Sequence, residues 1–462
     1  MEVSFSPHAP ADAGADLLVL PASAGAELGF ELHRAGFAGR PGEELLVPRR
    51  EGDRFRAGAV LLIGLEADAD ERAVRRAVGH AAPRMAGFGT VAVALPHPAA
   101  VVEGVRLGGY RFDRYKSSPQ DRPVSRLVLL APDTAEDRAA VARAEVVNEA
   151  VTFTRDLVNT PAGDLVPADL AARAVEMAAE AGLDARVLTA DDLRAGGFGG
   201  ILGVGAASAN PPCLIEVGYP GDGGGLVGLA GKGITFDAGG LGIKSQKAMA
   251  TMKSDMAGGA TMLAVVRAAA RLGLRTGVVA VVPAAENMVS GSATRPGDVL
   301  RHRNGITTEV ADTDAEGRLV LADALAYLAE RRPDAIIDAA TLTYSVMHAL
   351  GEDITGLLGN DRALVGALTE AAEETGEPVW EMPMWRPYLE RLKSDVADFK
   401  NDGGAHADVI LAALFLENFT GGVPWAHLDV ATTAYLDTAT DLGPAGATGA
   451  MVRTLVRYLE GR

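Results

Sequence analysis

The first third of the chain carries short apolar runs at 16–20 (Asp-Leu-Leu-Val-Leu), 59–65 (Ala-Val-Leu-Leu-Ile-Gly-Leu) and 90–95 (Thr-Val-Ala-Val-Ala-Leu). Each is bounded by Gly, Pro or charge, the signature of a strand buried on both faces. Between them, 70–79 has the spacing of an amphipathic helix, and 124–130 gives a further strand. This alternation predicts a small α/β domain over residues 1–134. Residues 135–158 follow with strong helix formers, apolar spacing near 3.6 and no breaker. They predict one long helix that links two domains and stops at Asn159-Thr160-Pro161.

Residues 159–462 alternate again. Strands are expected at 226–230, 277–282, 334–338 and 425–430, and helices at 168–181, 256–272, 317–332, 362–375 and 409–419. Strands and helices of these lengths in alternation imply a larger α/β domain with a mostly parallel, helix-covered sheet. No internal repeat interrupts the pattern.

The bulk properties narrow the function classes. The chain has 462 residues and a net charge of −18. Such a surface repels phosphate on average, so no nucleic-acid partner is expected. A single cysteine, Cys213, excludes an intramolecular disulfide and fits a reducing compartment. Its setting, after Asn210-Pro211-Pro212 and before Leu214-Ile215, reads as strand entry rather than as a nucleophile. The first residues lack a basic start and apolar run, and no apolar stretch approaches the roughly 20 residues that span a bilayer. The expectation is a cytoplasmic protein without a membrane partner.

Three segments carry candidate chemistry. Gly231-Lys232-Gly233-Ile234-Thr235-Phe236-Asp237-Ala238-Gly239-Gly240 follows a predicted strand, where ligands of open α/β sheets gather. It is a poor phosphate loop, because Lys232 is followed by Gly rather than Ser or Thr. In Thr251-Met252-Lys253-Ser254-Asp255, Asp255 stands at the start of a helical pattern and by itself reads as well as a helix cap. In Asp312-Thr313-Asp314-Ala315-Glu316-Gly317-Arg318, alternation in an extended segment would point three carboxylates to one side. Crowded carboxylates repel unless protons or cations intervene. Together the segments offer a nearly all-oxygen ligand set without histidine. The calcium-loop spacing is missing, whereas two divalent cations sharing carboxylates would fit.

These segments resemble the signatures of the leucyl aminopeptidase (cytosol aminopeptidase) family. Asp-Thr-Asp-Ala-Glu-Gly-Arg-Leu is similar to that family's Asn-Thr-Asp-Ala-Glu-Gly-Arg-Leu. The likeness runs from Arg111-Phe112-Asp113-Arg114-Tyr115-Lys116 to the end of the chain, through Arg155-Asp156-Leu157-Val158-Asn159-Thr160-Pro161 and Pro424-Trp425-Ala426-His427-Leu428-Asp429. The first hundred residues match only in layout. The resemblance implies a metal-dependent aminopeptidase, acting on peptides with leucine-like first residues, that assembles as a homohexamer. It implies two divalent ions, Mn²⁺ or Zn²⁺. Lys232, Asp237, Asp255 and Glu316 would hold one; Asp237, Asp314 and Glu316 would hold the other, with the Asp314 carbonyl. Lys244 would stabilise the oxyanion and Arg318 would bind a bicarbonate acting as general base. Met252, Thr341 and Leu342 would contact substrate.

The chain also departs from that pattern. Asp312 stands for the family's Asn, and Tyr344 for its usual Gly. His406 and Asp408 interrupt a plainer Gly-Gly-Ala-Ile run, and are expected at the surface or, more interestingly, in a modified pocket. His427 is expected to be a satisfied core histidine. The departures leave open a specialised or catalytically silent homologue with a regulatory or binding role.

Overall fold

The computed structural model describes residues 1–25, 36–118, 122–223 and 225–462. The chain divides into two compact units: Met1–Glu149 with Asp437–Gly446, and Ala150–Leu436 with Ala447–Arg462. The helix Ala135–Asn159 runs from the first into the second, so the division falls inside it.

The first unit is built on a six-stranded sheet in the order Glu2–Phe5, Arg126–Leu129, Thr90–Val93, Leu17–Pro21, Ala59–Ile63, Glu44–Pro48. All neighbours are parallel except the last pair. Its apolar runs are continuous because both faces are covered. Leu17 and Val19 enter one core with the helices Glu71–Met85 and Pro98–Gly108, while Leu18 and Leu20 enter a second core on the other face.

The second unit holds a nine-stranded sheet. Its main path runs Val379–Glu381, Thr355–Gly359, Trp425–Asp429, Ala335–Ala340, Leu226–Gly231, Gly277–Asn287, Cys213–Tyr219, Asp184–Leu188. The centre, from Trp425–Asp429 to Gly277–Asn287, is parallel, as the sequence pattern implies. Antiparallel pairings flank it on both sides. The outer strand Asp184–Leu188 escapes the sequence pattern because it buries little before its last residue. Cys213 opens one of the flanking strands and is buried, and burial pushes its thiol up to about 12.

Three features aim this sheet at one place. The long strand Gly277–Asn287 pairs first with Leu226–Gly231 and then with Gly233–Asp237, so Lys232 sits at the break and Asp237 lies opposite Asn287. The helix Ala257–Leu272 starts hard against the strand ends, with Gly259 N donating to the Lys232 carbonyl at 2.8 Å. Only glycine permits this approach: a Cβ on Gly258 would lie 1.9 Å from the Ala339 carbonyl oxygen, and one on Gly231 would lie 2.4 Å from that of Gly258. The helix Gly317–Ala329 is buried nearly all round, including Leu321, Leu325 and Leu328, and Asp323 in its middle accepts from the backbone N–H groups of Ile201 and Arg303.

Replacing Gly258 by Ala must push the helix off the sheet, because the obstruction is backbone. Overpacking of this kind costs about 1–3 kcal/mol. Gly258→Ala is therefore expected to lower the thermal midpoint by several degrees; an unchanged midpoint would show that the helix start is free to slide.

Candidate metal centre

Lys232 projects from the break between two strands into a closed space, with 3 % of its surface exposed. Its Nζ lies 2.8 Å from Asp255 Oδ1, 2.7 Å from Glu316 Oε1 and 2.9 Å from the Thr341 carbonyl oxygen, to which it donates. Asp255 does not cap the following helix, whose first turn has no side-chain cap. It turns inward and accepts from Thr341 Oγ1 at 2.7 Å. The reading of Asp255 as a cap is thereby excluded.

Lys244 forms a second node. Its Nζ lies 2.8 Å from Asp237 Oδ2 and 2.5 Å from Asp314 Oδ1. The other Asp237 oxygen accepts from Gly239 N and from Asn287 Nδ2, each at 2.8 Å. Asp237, Asp255 and Glu316 are all buried, and one oxygen from each falls within 4.8 Å of the others. Among the described residues, Asp255 Oδ2 and Glu316 Oε2 have no hydrogen-bond partner.

The electrostatics follow from burial and crowding. Burial raises Asp255 well above the ordinary carboxylate range, and the charges of Glu316 and Asp237 add to it against the pull of Lys232. Glu316 is raised by burial and by Asp237. Asp314 is pushed up to about 7, by burial first and then by Asp237, against Lys244. Burial alone would push both lysines down, but the carboxylates outweigh it, and Lys232 and Lys244 are held above the ordinary lysine value. The cluster demands positive charge.

Residues 312–316 form a turn that leads into the helix Gly317–Ala329, not an extended run. Asp312 therefore does not join a row of three carboxylates. Its Oδ1 accepts from Asp314 N at 2.9 Å and braces the turn. Asn401, which the sequence reading did not single out, does more. Its Oδ1 accepts from the N–H groups of Ala311 and Asp312, and its Nδ2 donates to the carbonyls of Asp312 and Ala315. A lone Asn 86 to 90 residues away carries no local signal for that task. Thr313 Oγ1 donates to the Gly239 carbonyl at 2.8 Å and ties the two acidic segments together.

Around this core, Thr341 and Leu342 follow the central strand Ala335–Ala340, and Leu342 N donates to Asp429 Oδ1. Met252 is half-buried in the short turn that leads to Asp255. Tyr344 is 51 % exposed, with the Lys244 ammonium 5.4 Å from its ring centroid. Arg318 is buried; its Nη1 donates to the Asn401 carbonyl and its Nη2 to Asp408 Oδ1, each at 2.7 Å. His406 is exposed. His427 is a core histidine, buried in its strand and paired through Nδ1 with Asp338 at 2.6 Å, but it is not fully satisfied, since its Nε2 has no partner among the described residues.

Family models match most of the chain. The catalytic-domain model of the cytosol aminopeptidase family matches residues 152–456, and that family's N-terminal-domain model matches 11–119. The chain belongs to the cytosol aminopeptidase family. A probable cytosol aminopeptidase of Streptomyces avermitilis is 43 % identical over 96 % of this chain and 92 % of its own. One of Roseiflexus castenholzii is 48 % identical over 78 % and 76 %. Among solved structures, the bottromycin maturation enzyme BotP in complex with Mn superposes with a TM-score of 0.89 at 39 % identity, covering 97 % of this chain and 99 % of that one. A mutant of tomato leucine aminopeptidase gives 0.90 at 31 % identity, covering 100 % and 97 %. The chain is thus an aminopeptidase, a metal-dependent exopeptidase with a carboxylate cluster at the carboxyl ends of its central strands. No helix among the described residues is long and apolar enough to cross a membrane.

Because Asp314 sits at about 7, a cation binding there displaces a proton below that pH and none well above it. Mn²⁺ affinity, measured by titration calorimetry, is expected to rise with pH, most steeply up to about 7 where Asp314 still holds its proton, and less steeply above it, where the proton left to displace is that of Lys232. Asp314→Asn should weaken binding at least about tenfold and flatten that pH dependence; an unchanged slope would assign the proton elsewhere.

Proposed function

We propose that this aminopeptidase removes leucine-like residues from the free N-termini of peptides, at a centre that holds two divalent cations, Mn²⁺ or Zn²⁺. The observation that carries the reading is the buried trio Asp237, Asp255 and Glu316, with two carboxylate oxygens left without hydrogen-bond partners. Carboxylates desolvated and crowded in this way fit cations better than they fit a protein core. Lys232, Asp237, Asp255 and Glu316 would hold one ion, and Asp237, Glu316 and Asp314, through its side chain and carbonyl, the other. When bound, such a pair supplies Lewis acidity, a site for the free α-amine and a water of pKa near 7.

The chain's own groups then divide the work. Lys232 must give up its proton to serve as a ligand, and a dication drawn to Asp255 and Glu316 competes for that place directly. Lys244 keeps its charge and, with 6 % of its side chain exposed, offers a nearly desolvated ammonium to the oxyanion of the tetrahedral intermediate. Without the ions, Asp237 and Asp314 hold that ammonium from two sides; with the same carboxylates given over to the second ion, Lys244 would be freed for the substrate. The backbone of Thr341 and Leu342 would line the peptide, and Met252 would wall the pocket for its first residue. Tyr344, over Lys244, narrows the same cleft and favours a restricted set of peptides over general trimming. The bicarbonate suggested by the sequence likeness fits poorly, because the buried Arg318 guanidinium is already paired with Asp408 and Asn401. No step is assigned to it. The family's name and the single cysteine are in keeping with a cytosolic setting.

Release of amino acids from leucyl-p-nitroanilide and short peptides with Mn²⁺ or Zn²⁺ tests the reading, and absence of turnover with every peptide and metal would overturn it. Lys244→Ala is expected to lower kcat about 10²–10³-fold while metal content, measured by elemental analysis, stays unchanged. Tyr344→Gly is expected to raise kcat/KM for bulkier peptides relative to leucyl-p-nitroanilide; an unchanged ratio would remove Tyr344 from the cleft.

A further inference from the structure

Asp408 is out of place for a surface residue. It opens the helix Asp408–Glu417, yet its Oδ1 receives the Nη2 of Arg318, whose side chain is 1 % exposed. The pair lies next to the centre, since Arg318 follows Glu316 by two residues. The segment that delivers Asp408 is fixed from several sides. Arg391 donates to the carbonyls of Gly403 and His406. Ser345 Oγ, one residue after Tyr344, accepts from Val409 N at 2.8 Å. Ala407 takes the left-handed conformation, φ 59°, to turn the chain inward. Such a conformation in a residue with a Cβ persists only where the surroundings enforce it.

Arg318 shows the geometry of an anion site whose anion comes from the same chain. One terminal nitrogen serves the Asn401 carbonyl and the other serves a carboxylate, while Nε has no partner among the described residues. A guanidinium binds a small planar oxyanion through two adjacent N–H groups. Here the Nη2 that would form half of such a fork is given to Asp408. An external anion would also have to enter beside that carboxylate, at a cost in like-charge repulsion.

We propose that Asp408 fills the anion seat of Arg318 from within the chain, so that this enzyme works without external bicarbonate. The inference rests on the aminopeptidase reading only for its kinetic consequence. Asp408 is a positioning residue: it acts through Arg318 and supplies the negative charge that an Arg beside the metal centre would otherwise take from solution. Removing it should open the seat to a small oxyanion of the same shape and charge.

The test compares the wild-type chain with Asp408→Ala and with the isosteric Asp408→Asn, which retains the side-chain volume at the helix start. Thermal midpoint and titration calorimetry are followed against sodium bicarbonate, with sodium chloride as the ionic-strength control, and the rate of leucyl-p-nitroanilide hydrolysis is measured in CO₂-depleted and bicarbonate-supplemented buffer. The wild type is expected to show no bicarbonate-specific shift and no rate change. Asp408→Ala should bind bicarbonate at least about tenfold more tightly than the wild type, equivalent to about 1.4 kcal/mol, and its reduced rate should recover as it is added, whereas Asp408→Asn, which keeps an acceptor oxygen in the seat, should not gain that binding. Arg318→Met placed on Asp408→Ala should abolish that binding. Equal binding by wild type and Asp408→Ala, or binding by neither of them, would overturn the proposal. A lack of peptide turnover in every protein would count against the aminopeptidase reading alone, because the binding comparison still decides this one.

Discussion

The structure of the catalytic unit is organised around a buried electrostatic conflict. Asp237, Asp255 and Glu316 bring oxygens within 4.8 Å of one another in a space from which water is nearly excluded. Like charges so placed either take up protons or require cations. Two lysines answer part of that demand, Lys232 between Asp255 and Glu316 and Lys244 between Asp237 and Asp314. The oxygens that remain without partners, Asp255 Oδ2 and Glu316 Oε2, mark where the answer is incomplete. The proposed cations belong there, and metal affinity and the protonation of these groups are then two views of one balance.

A conflict of this kind persists only if the scaffold imposes it. The imposition is mainly backbone. The break at Lys232 between two strands, the glycine contact that seats the helix Ala257–Leu272, and the turn after Asp312 fix four of the charged groups before any side-chain choice is made. The Asn401 side chain then holds the acidic turn through four hydrogen bonds to its backbone. Below the centre, Asp429 accepts from Leu342 N and Thr343 Oγ1, and Asp338 pairs with His427 and Trp425. The carboxylates of this lower pair are engaged by donors on both sides, in contrast to Asp255 and Glu316 above them, each of which keeps one oxygen without a partner among the described residues.

The rim carries the two residues that stand out in the sequence. Tyr344 covers Lys244, and Asp408 engages Arg318. Both lie on segments held together by the bond from Val409 N to Ser345 Oγ.

Much of this was written in the sequence. Continuous apolar runs predict central strands, because strands buried on both faces have no polar side to alternate. Leu17 to Leu20 and Leu226 to Ala230 are such runs, and both are strands. The long helix at 135 and the helices at 257, 317 and 362 were legible from spacing alone, and the acidic motif from its composition. Other features were not legible, and for physical reasons. Edge strands such as Asp184–Leu188 are half-solvated and carry a weak pattern. A row of alternating acids cannot reveal that Asp312 bonds to the backbone in a turn while Asp314 and Glu316 face inward. Asp255 reads as a helix cap until the strand bearing Lys232 is beside it. Asn401 and Asp408 act across 83 to 90 residues of chain on Asp312, Ala315 and Arg318. Composition and periodicity fix which segments are strands and helices and which residues are rich in chemistry. Which charges meet is a matter of register and close approach between distant segments, and that is settled only when the sheet is assembled.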